Sequence, residues 1–356
     1  MKNLNALKKL AFTENGFDGY LILNEANLTY FIGFQGPVAL LVPTNGECTL
    51  YVEGKNYEQA KAEGKGFNVE KVKSDENLMD KVAQLAKDSK IKQLTVDAIG
   101  VPDWQLLTRR LDREIVLEVN NAPIEALRRV KDAQELELMR KAGEITSAGM
   151  KAASEAIRPG IREFEIAAEI EYTMRKLGSG PTAFETIVAS GPSSAFPHGG
   201  CSDRILREGD FVMVDIGATY KYYCSDMTRT FVAGKPSAKQ QIIWEVVKDA
   251  QESASKIIRE SVPIADVDIA ARQVIEAAGF GYDFVHRLGH GVGLEVHEPP
   301  SLNQLTKDVL LAGNVITIEP GIYLPGFGGV RIEDTVLVQK NCAEKLTKGP
   351  YSLSTQ

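Results

Sequence analysis

Apolar and polar positions along the first third of the chain follow a mixed α/β pattern. An amphipathic start, LNALKKLAFTENG, closes at Gly16, and a short apolar run, LIL, follows within GYLILNEANLTYFIGF. PVALLVP and CTLYVE are strand-like and are separated by TNGE, whose Asn45-Gly46 pair is hairpin-turn chemistry. ENLMDKVAQLAKDSK carries helical periodicity, and KQLTVDAIG returns to a strand pattern. APIEALRRVK then leads into a long helical stretch in which Leu136, Met139, Ala142 and Ile145 step along one face. These patterns predict an amino-terminal α/β domain over residues 1–121, a linker helix over 122–131 and a second, α+β domain over 132–356.

The second domain contains an internal repeat. IREFEIAAEIEYTMRKLGS, from Ile161, resembles IADVDIAARQVIEAAGFG, from Ile264, and a helix rich in small residues precedes each copy. Each copy is followed by two strand-like runs. In FVMVDIGATYKYYCSDMTRTF the connection falls near Tyr220-Lys221, and Asp215 and Asp226 are equidistant from it. In NVITIEPGIYLPGFGGVRIEDTVLV, Glu319 and Glu333 are equidistant from Gly326. Regular hairpins would set each acidic pair face to face, with Cβ atoms about 4.5–5.5 Å apart, where like charges destabilise.

Burying such pairs among Val, Ile and Met costs several kcal/mol per uncompensated ion, on the order of 3–5. Arg229 and Arg331 are nearby counter-charges, but with Asp334 also present the balance stays negative. A divalent metal site meets this deficit better than a purely structural ion-pair network. Histidine supplies the remaining donors. The chain has 356 residues and four His, all between positions 198 and 297. His286, His290 and His297 lie in HRLGHGVGLEVHE, where the glycines disfavour a continuous helix and no HExxH occurs. His198 sits in a Pro/Gly loop, SSAFPHGG. Four carboxylates and one imidazole exceed a single tetrahedral zinc and suit two first-row divalent ions sharing carboxylates. Metal-assisted hydrolysis is the chemistry such a set supports.

Composition narrows the partners. With 41 Lys+Arg against 48 Asp+Glu the formal net charge is −7, which argues against nucleic acid as the main partner. No apolar run is long enough to span a membrane, and the start lacks the apolar core of a secretory signal. Four scattered cysteines without C-x-x-C fit free thiols in the cytoplasm.

Five motifs, VDIG at Asp215, SDMTRTF at Asp226, GHGVG at His290, TIEPGIY at Glu319 and RIEDTV at Glu333, resemble the metallopeptidase family of prolidase, aminopeptidase P and methionine aminopeptidase. The resemblance implies a pita-bread catalytic domain with a pseudo-twofold repeat, behind a creatinase-like amino-terminal domain. It implies two divalent ions, Mn²⁺, Co²⁺ or Zn²⁺, held by Asp215, Asp226, His290, Glu319 and Glu333. Asp226 and Glu333 would bridge the two ions, and Glu319 would also take a proton from the water between them. His198 and His297 resemble the family's catalytic histidines, which contact the substrate and stabilise the oxyanion or leaving nitrogen, and His286 and Arg331 match substrate-binding positions of its proline-specific members. Phe184 and Val296 are candidates for an apolar wall around proline. The implied substrates are Xaa-Pro dipeptides, or longer Xaa-Pro peptides as in aminopeptidase P, and a homodimer is implied as well. Some microbial prolidases carry an arginine where this chain has Ser301, which leaves the choice between those substrates open. A non-catalytic binding protein of the same shape would have lost ligand positions, and none of the five is replaced here.

Overall fold

The computed structural model describes residues 2–14 and 16–355, which divide into two compact units, one ending at Arg128 and the other beginning at Arg129. That division lies within the segment read from sequence as a linker, in the helix Ala122–Arg129.

The first unit is built on a six-stranded mixed sheet. Its strands are β1 Gly19–Ile22, β2 Pro37–Pro43, β3 Thr49–Glu53, β4 Asn68–Val72, β5 Gln93–Val96 and β6 Val116–Val119, in the order β4-β3-β2-β1-β5-β6. Side-chain alternation decides the two faces. Tyr20, Ile22, Leu40, Val42, Leu50 and Val52 join one apolar cluster, while Leu21, Leu41 and Tyr51 join another with Met79, Val82 and Ala86 of the helix Leu78–Asp88. The continuous apolar runs of the sequence are therefore strands covered on both sides. The helix Glu25–Ile32, which follows the LIL run, closes on Gly33 in the left-handed region at φ 83°.

The second unit repeats one plan twice. Helices α1 Ala133–Ala156 and α2 Glu163–Lys176 pack on strands β8 Phe211–Ile216 and β11 Met227–Val232 through Ile145, Ile166, Ile170, Val214 and Phe231. Here β7 Ile187–Ser190 lies beside β8, and the tip of the hairpin is β9 Thr219–Tyr220 with β10 Tyr223–Cys224. Helices α3 Ala238–Ile257 and α4 Ile264–Ala277 cover the second set of strands through Val247, Val267, Ile316, Ile322 and Val336. Those strands are β12 Gly289–Gly291, β13 Glu298–Leu302, β14 Val315–Ile318, β15 Gly321–Leu324, β16 Gly328–Arg331, β17 Asp334–Val338 and β18 Ala343–Lys345. Capping boxes start α1 and α3: Asp132 with Glu135, and Ser237 with Gln240.

The hairpin registers differ from the simple symmetry of the sequence in one case and agree in the other. In the first, Lys221 (φ 44°) and Tyr222 (φ 75°) form a two-residue turn with both φ positive, the primed geometry that suits strand twist. The turn is thus centred one residue later than expected, and Asp215 pairs with Thr228 rather than Asp226. Moving a turn centre by one residue moves the pairing by two, so Asp226 stays on the face of Asp215 as a diagonal neighbour. In the second, Gly321↔Arg331 and Ile318↔Asp334 share one register centred on Gly326. Glu319 and Glu333 occupy the gap between those two ladders. Their backbone N–H groups donate elsewhere, Glu319 to Leu288 O (2.9 Å) and Glu333 to Thr228 O (3.0 Å).

The two hairpins are fastened by a buried polar cluster. Arg229 donates from Nη2 to Asp334 Oδ1 (2.7 Å) and from Nη1 to the carbonyls of Thr228 (2.9 Å) and Glu333 (2.6 Å). Asp334 is fully buried and also accepts from Gln251, Lys345, Thr347 and Tyr351. Burial would raise its pKa, but the charges of Arg229 and Lys345 hold it below the ordinary carboxylate value. Asp334→Asn strands the buried Arg229 charge and is expected to cost about 3 kcal/mol of stability at neutral pH, read by urea denaturation. A depressed pKa contributes stability above the unfolded value and loses it as pH falls through the folded one. The gap between parent and variant should therefore narrow below about pH 4. A gap that stays constant into acid would contradict this account.

Candidate dinuclear metal centre and its cavity

A cavity of about 580 Å³ opens in the second unit where the two hairpins meet. The metal-ligand and substrate-site candidates named from the sequence line it: Asp215, Asp226, His290, Glu319 and Glu333, the histidines His198, His286 and His297, Arg331, and the apolar Phe184 and Val296. Asp215 projects from β8, and Asp226 from the residue before β11. His290 projects from β12, while Glu319 and Glu333 come from the gap between ladders. His290 lies in β12 and His286 at a bend in the irregular segment before it, so the HxxxH spacing is not a helical pair.

Asp226, His290 and Glu333 bring donor atoms within 4.8 Å of one another, and all three are buried. Nδ1 of His290 donates to the Gly291 carbonyl (3.0 Å). Its Nε2 is thereby turned towards Glu319 Oε1 at 3.3 Å and Asp226 Oδ2 at 3.7 Å. Thr228 Oγ1 donates to Glu333 Oε2 (2.6 Å) and accepts from Arg331 Nε (3.1 Å). Arg331 Nη2 donates to Asp215 Oδ2 (2.5 Å), while Oδ1 of the same carboxylate is buried without a hydrogen-bond partner.

The electrostatics follow from this crowding. Burial, and then the charge of Asp215, pushes the Asp226 carboxyl well above its ordinary range. Burial followed by the charge of Asp226 does the same to Glu333. Asp215 is also raised by burial, with Arg331 opposing. Glu319 goes the other way. Burial works against it, yet the hydrogen bond and charge of His290, with help from His286 and Arg331, take it down to about 2. Burial lowers His290, but the Glu319 partnership outweighs that and raises it. Burial lowers both His286 and His297, and the charge of His290 lowers His297 further.

The donor set fits hard divalent ions. It offers more carboxylate oxygens than its single paired guanidinium neutralises, an orphaned buried oxygen on Asp215, and an imidazole oriented by its other nitrogen. Buried like charges of this density are disfavoured unless protonated or bound to cations.

Three side chains with evident parts in the site were not singled out from the sequence, although all lie within its quoted motifs. Thr228 bridges Glu333 and Arg331. Tyr323 is buried, receives a hydrogen bond from Arg331 Nη1 (2.8 Å) and meets His286 Nε2 at 2.9 Å, and burial pushes its phenol up to about 12. Arg287 lines the cavity beside His286. Arg229, by contrast, was weighed as a counter-charge to the acidic pairs and instead pairs with Asp334.

Comparison with known proteins agrees with this geometry. Residues 137–340 match the family profile described as metallopeptidase family M24, and residues 5–130 match the creatinase/prolidase amino-terminal domain. The Xaa-Pro dipeptidase of Pyrococcus furiosus is 41% identical over 339 residues, covering 94% of each chain. The solved prolidase of Pyrococcus horikoshii OT3 superposes with a TM-score of 0.92 at 38% identity, covering 99% of this chain and 100% of that one. The X-Pro aminopeptidase of Thermotoga maritima MSB8 does so with a TM-score of 0.90 at 36% identity and 99% coverage of both chains.

Adding Mn²⁺ or Co²⁺ to metal-free protein is expected to raise the thermal midpoint with concentration, because ions bound only by the folded state stabilise it. Glu333→Gln should lose most of that shift while keeping its far-UV circular dichroism. An unresponsive parent protein would count against the centre.

Proposed function

We infer the activity from a plain premise: the chain belongs to metallopeptidase family M24, with a creatinase-like amino-terminal domain and a pita-bread catalytic domain. We propose that it hydrolyses the peptide bond preceding proline in Xaa-Pro dipeptides. The convergence of Asp226, His290 and Glu333 on one buried point, with Asp215 and Glu319 beside them, carries this reading. Relatives named Xaa-Pro dipeptidase and prolidase, at 41% and 38% identity, support the dipeptide over longer peptides.

Asp215, Asp226, His290, Glu319 and Glu333 would hold two divalent ions, for which Mn²⁺, Co²⁺ and Zn²⁺ are all suitable. When bound, these ions supply Lewis-acid polarisation of the scissile carbonyl and lower the pKa of water. The protein's own groups do the rest. Glu319 is held ionised by His290 and lies on the cavity wall, so it can take a proton from the attacking water and deliver it to the prolyl nitrogen. His198 and His297 are exposed on the same wall and donate hydrogen bonds to the oxygen that gains charge. His286 is tied through Tyr323 to Arg331, which in turn holds Asp215, so these three residues orient the site. Phe184 and Val296 offer apolar surface to the pyrrolidine ring.

No helix among the described residues is long and apolar enough to cross a membrane. All four cysteines are free, which supports the cytoplasm as the compartment. A homodimer is part of the reading on family resemblance alone.

The protein loaded with Mn²⁺ or Co²⁺ is expected to cleave Ala-Pro, to stop on chelation and to recover when the metal is restored. Glu319→Gln should lower kcat at least about a hundredfold without unfolding the chain. Absence of Xaa-Pro cleavage with Mn²⁺, Co²⁺ and Zn²⁺ alike would falsify the proposal, and near-normal rates for Glu319→Gln would remove it from the base role.

A further inference from the structure

Two guanidinium groups line the cavity, and they differ in what occupies them. Arg331 is buried and spends its donors on Asp215, Thr228, Tyr323 and the Pro197 carbonyl. Arg287 is exposed, and its one side-chain hydrogen bond is long, from Nη1 to Ser301 Oγ at 3.4 Å. Among the described residues it has no ion-pair partner. An unpaired guanidinium on the wall of this cavity is a ready receptor for a carboxylate.

The backbone that carries Arg287 is held on both sides. Arg272 donates to the carbonyls of Phe284 and His286 (3.1 Å each), and Leu288 N donates to Leu302 O (3.0 Å). Ser301, which the guanidinium touches, pairs directly with His290 across β12 and β13. Arg287 is also near enough to His297 for its charge to lower that imidazole's pKa. Its head group therefore lies beside the strand pair that carries His290. The side chain is free to reach a ligand while its anchor stays fixed.

A terminal carboxylate that leaves water for this cavity loses its hydration at a cost unless a cation receives it. We propose that Arg287 is a specificity-determining residue that binds the free carboxylate at the carboxyl end of the substrate. It thereby selects Xaa-Pro dipeptides against peptides that continue beyond proline. This rests on the Xaa-Pro hydrolysis proposed above, and it assigns the recognition of chain length to a residue outside the metal ligands.

Ala-Pro and its carboxamide, Ala-Pro-NH₂, separate the two claims. With Mn²⁺-loaded protein, kcat and KM are measured for both substrates with the parent, Arg287→Met and Arg287→Lys. The parent is expected to favour the free acid. In Arg287→Met the acid-over-amide ratio of kcat/KM should fall about tenfold or more, mainly through KM for the acid, as loss of a charge-assisted hydrogen bond requires. Arg287→Lys, which keeps the charge without the fork, should recover part of the ratio. If Arg287→Met fails to fold, Arg287→Gln carries the same comparison. A parent ratio near one, or a ratio that the uncharged variants leave unchanged, overturns the assignment while Xaa-Pro hydrolysis stands. A parent that cleaves neither substrate overturns the reaction and the assignment together.

Discussion

Four carboxylates share one small, largely buried volume, and most of the catalytic unit is arranged around that cost. Asp215, Asp226 and Glu333 are buried and Glu319 is only partly exposed, while one guanidinium, that of Arg331, pairs directly with the group. Without cations, burial and repulsion favour the protonated forms of three of the four. Burial and mutual repulsion raise Asp226 and Glu333, and Glu319 alone stays strongly acidic because His290 donates to it. Desolvation and like-charge repulsion thus act in the same direction, and bound divalent ions relieve both at once.

Such a cluster needs a frame that does not relax to spread the charges. The frame is the junction of two hairpins, one from each half of the repeat. Thr228 ties them at the acids themselves, through its carbonyl to Glu333 N and through Oγ1 to Glu333 Oε2. Thr335 Oγ1 donates to the Asp226 carbonyl, and Asp226 N donates back to the same hydroxyl. Arg229 and Asp334 brace the far side of Glu333 through its carbonyl. Each helix pair then covers its own strands with apolar side chains.

Much of this was legible in the residues. The register of the second hairpin followed from its glycine turn, since one centre at Gly326 governs both ladders. The first register did not follow, because Lys221 and Tyr222 carry no glycine or asparagine to mark a turn with two positive φ values. Asp226 kept its face all the same, as side chains in a strand alternate with a period of two. The pairings Arg229–Asp334 and Arg331–Asp215 were not readable either. Both arginines are close in sequence to several acids, and only the packing of one hairpin on the other decides which acid each one meets.

The sequence by itself determined the element types, the two-part plan and the chemical inventory of the centre, because periodicity and local turn chemistry are short-range properties. It also marked the buried acids as anomalous, since charge inside an apolar strand is costly wherever the strand lies. The tertiary structure alone decided the pairing of charges, the partners of His286 and His290, and the difference between a saturated Arg331 and an open Arg287. Those depend on distances of a few ångströms between residues far apart in the chain, and electrostatic energy varies steeply over that range once water is excluded.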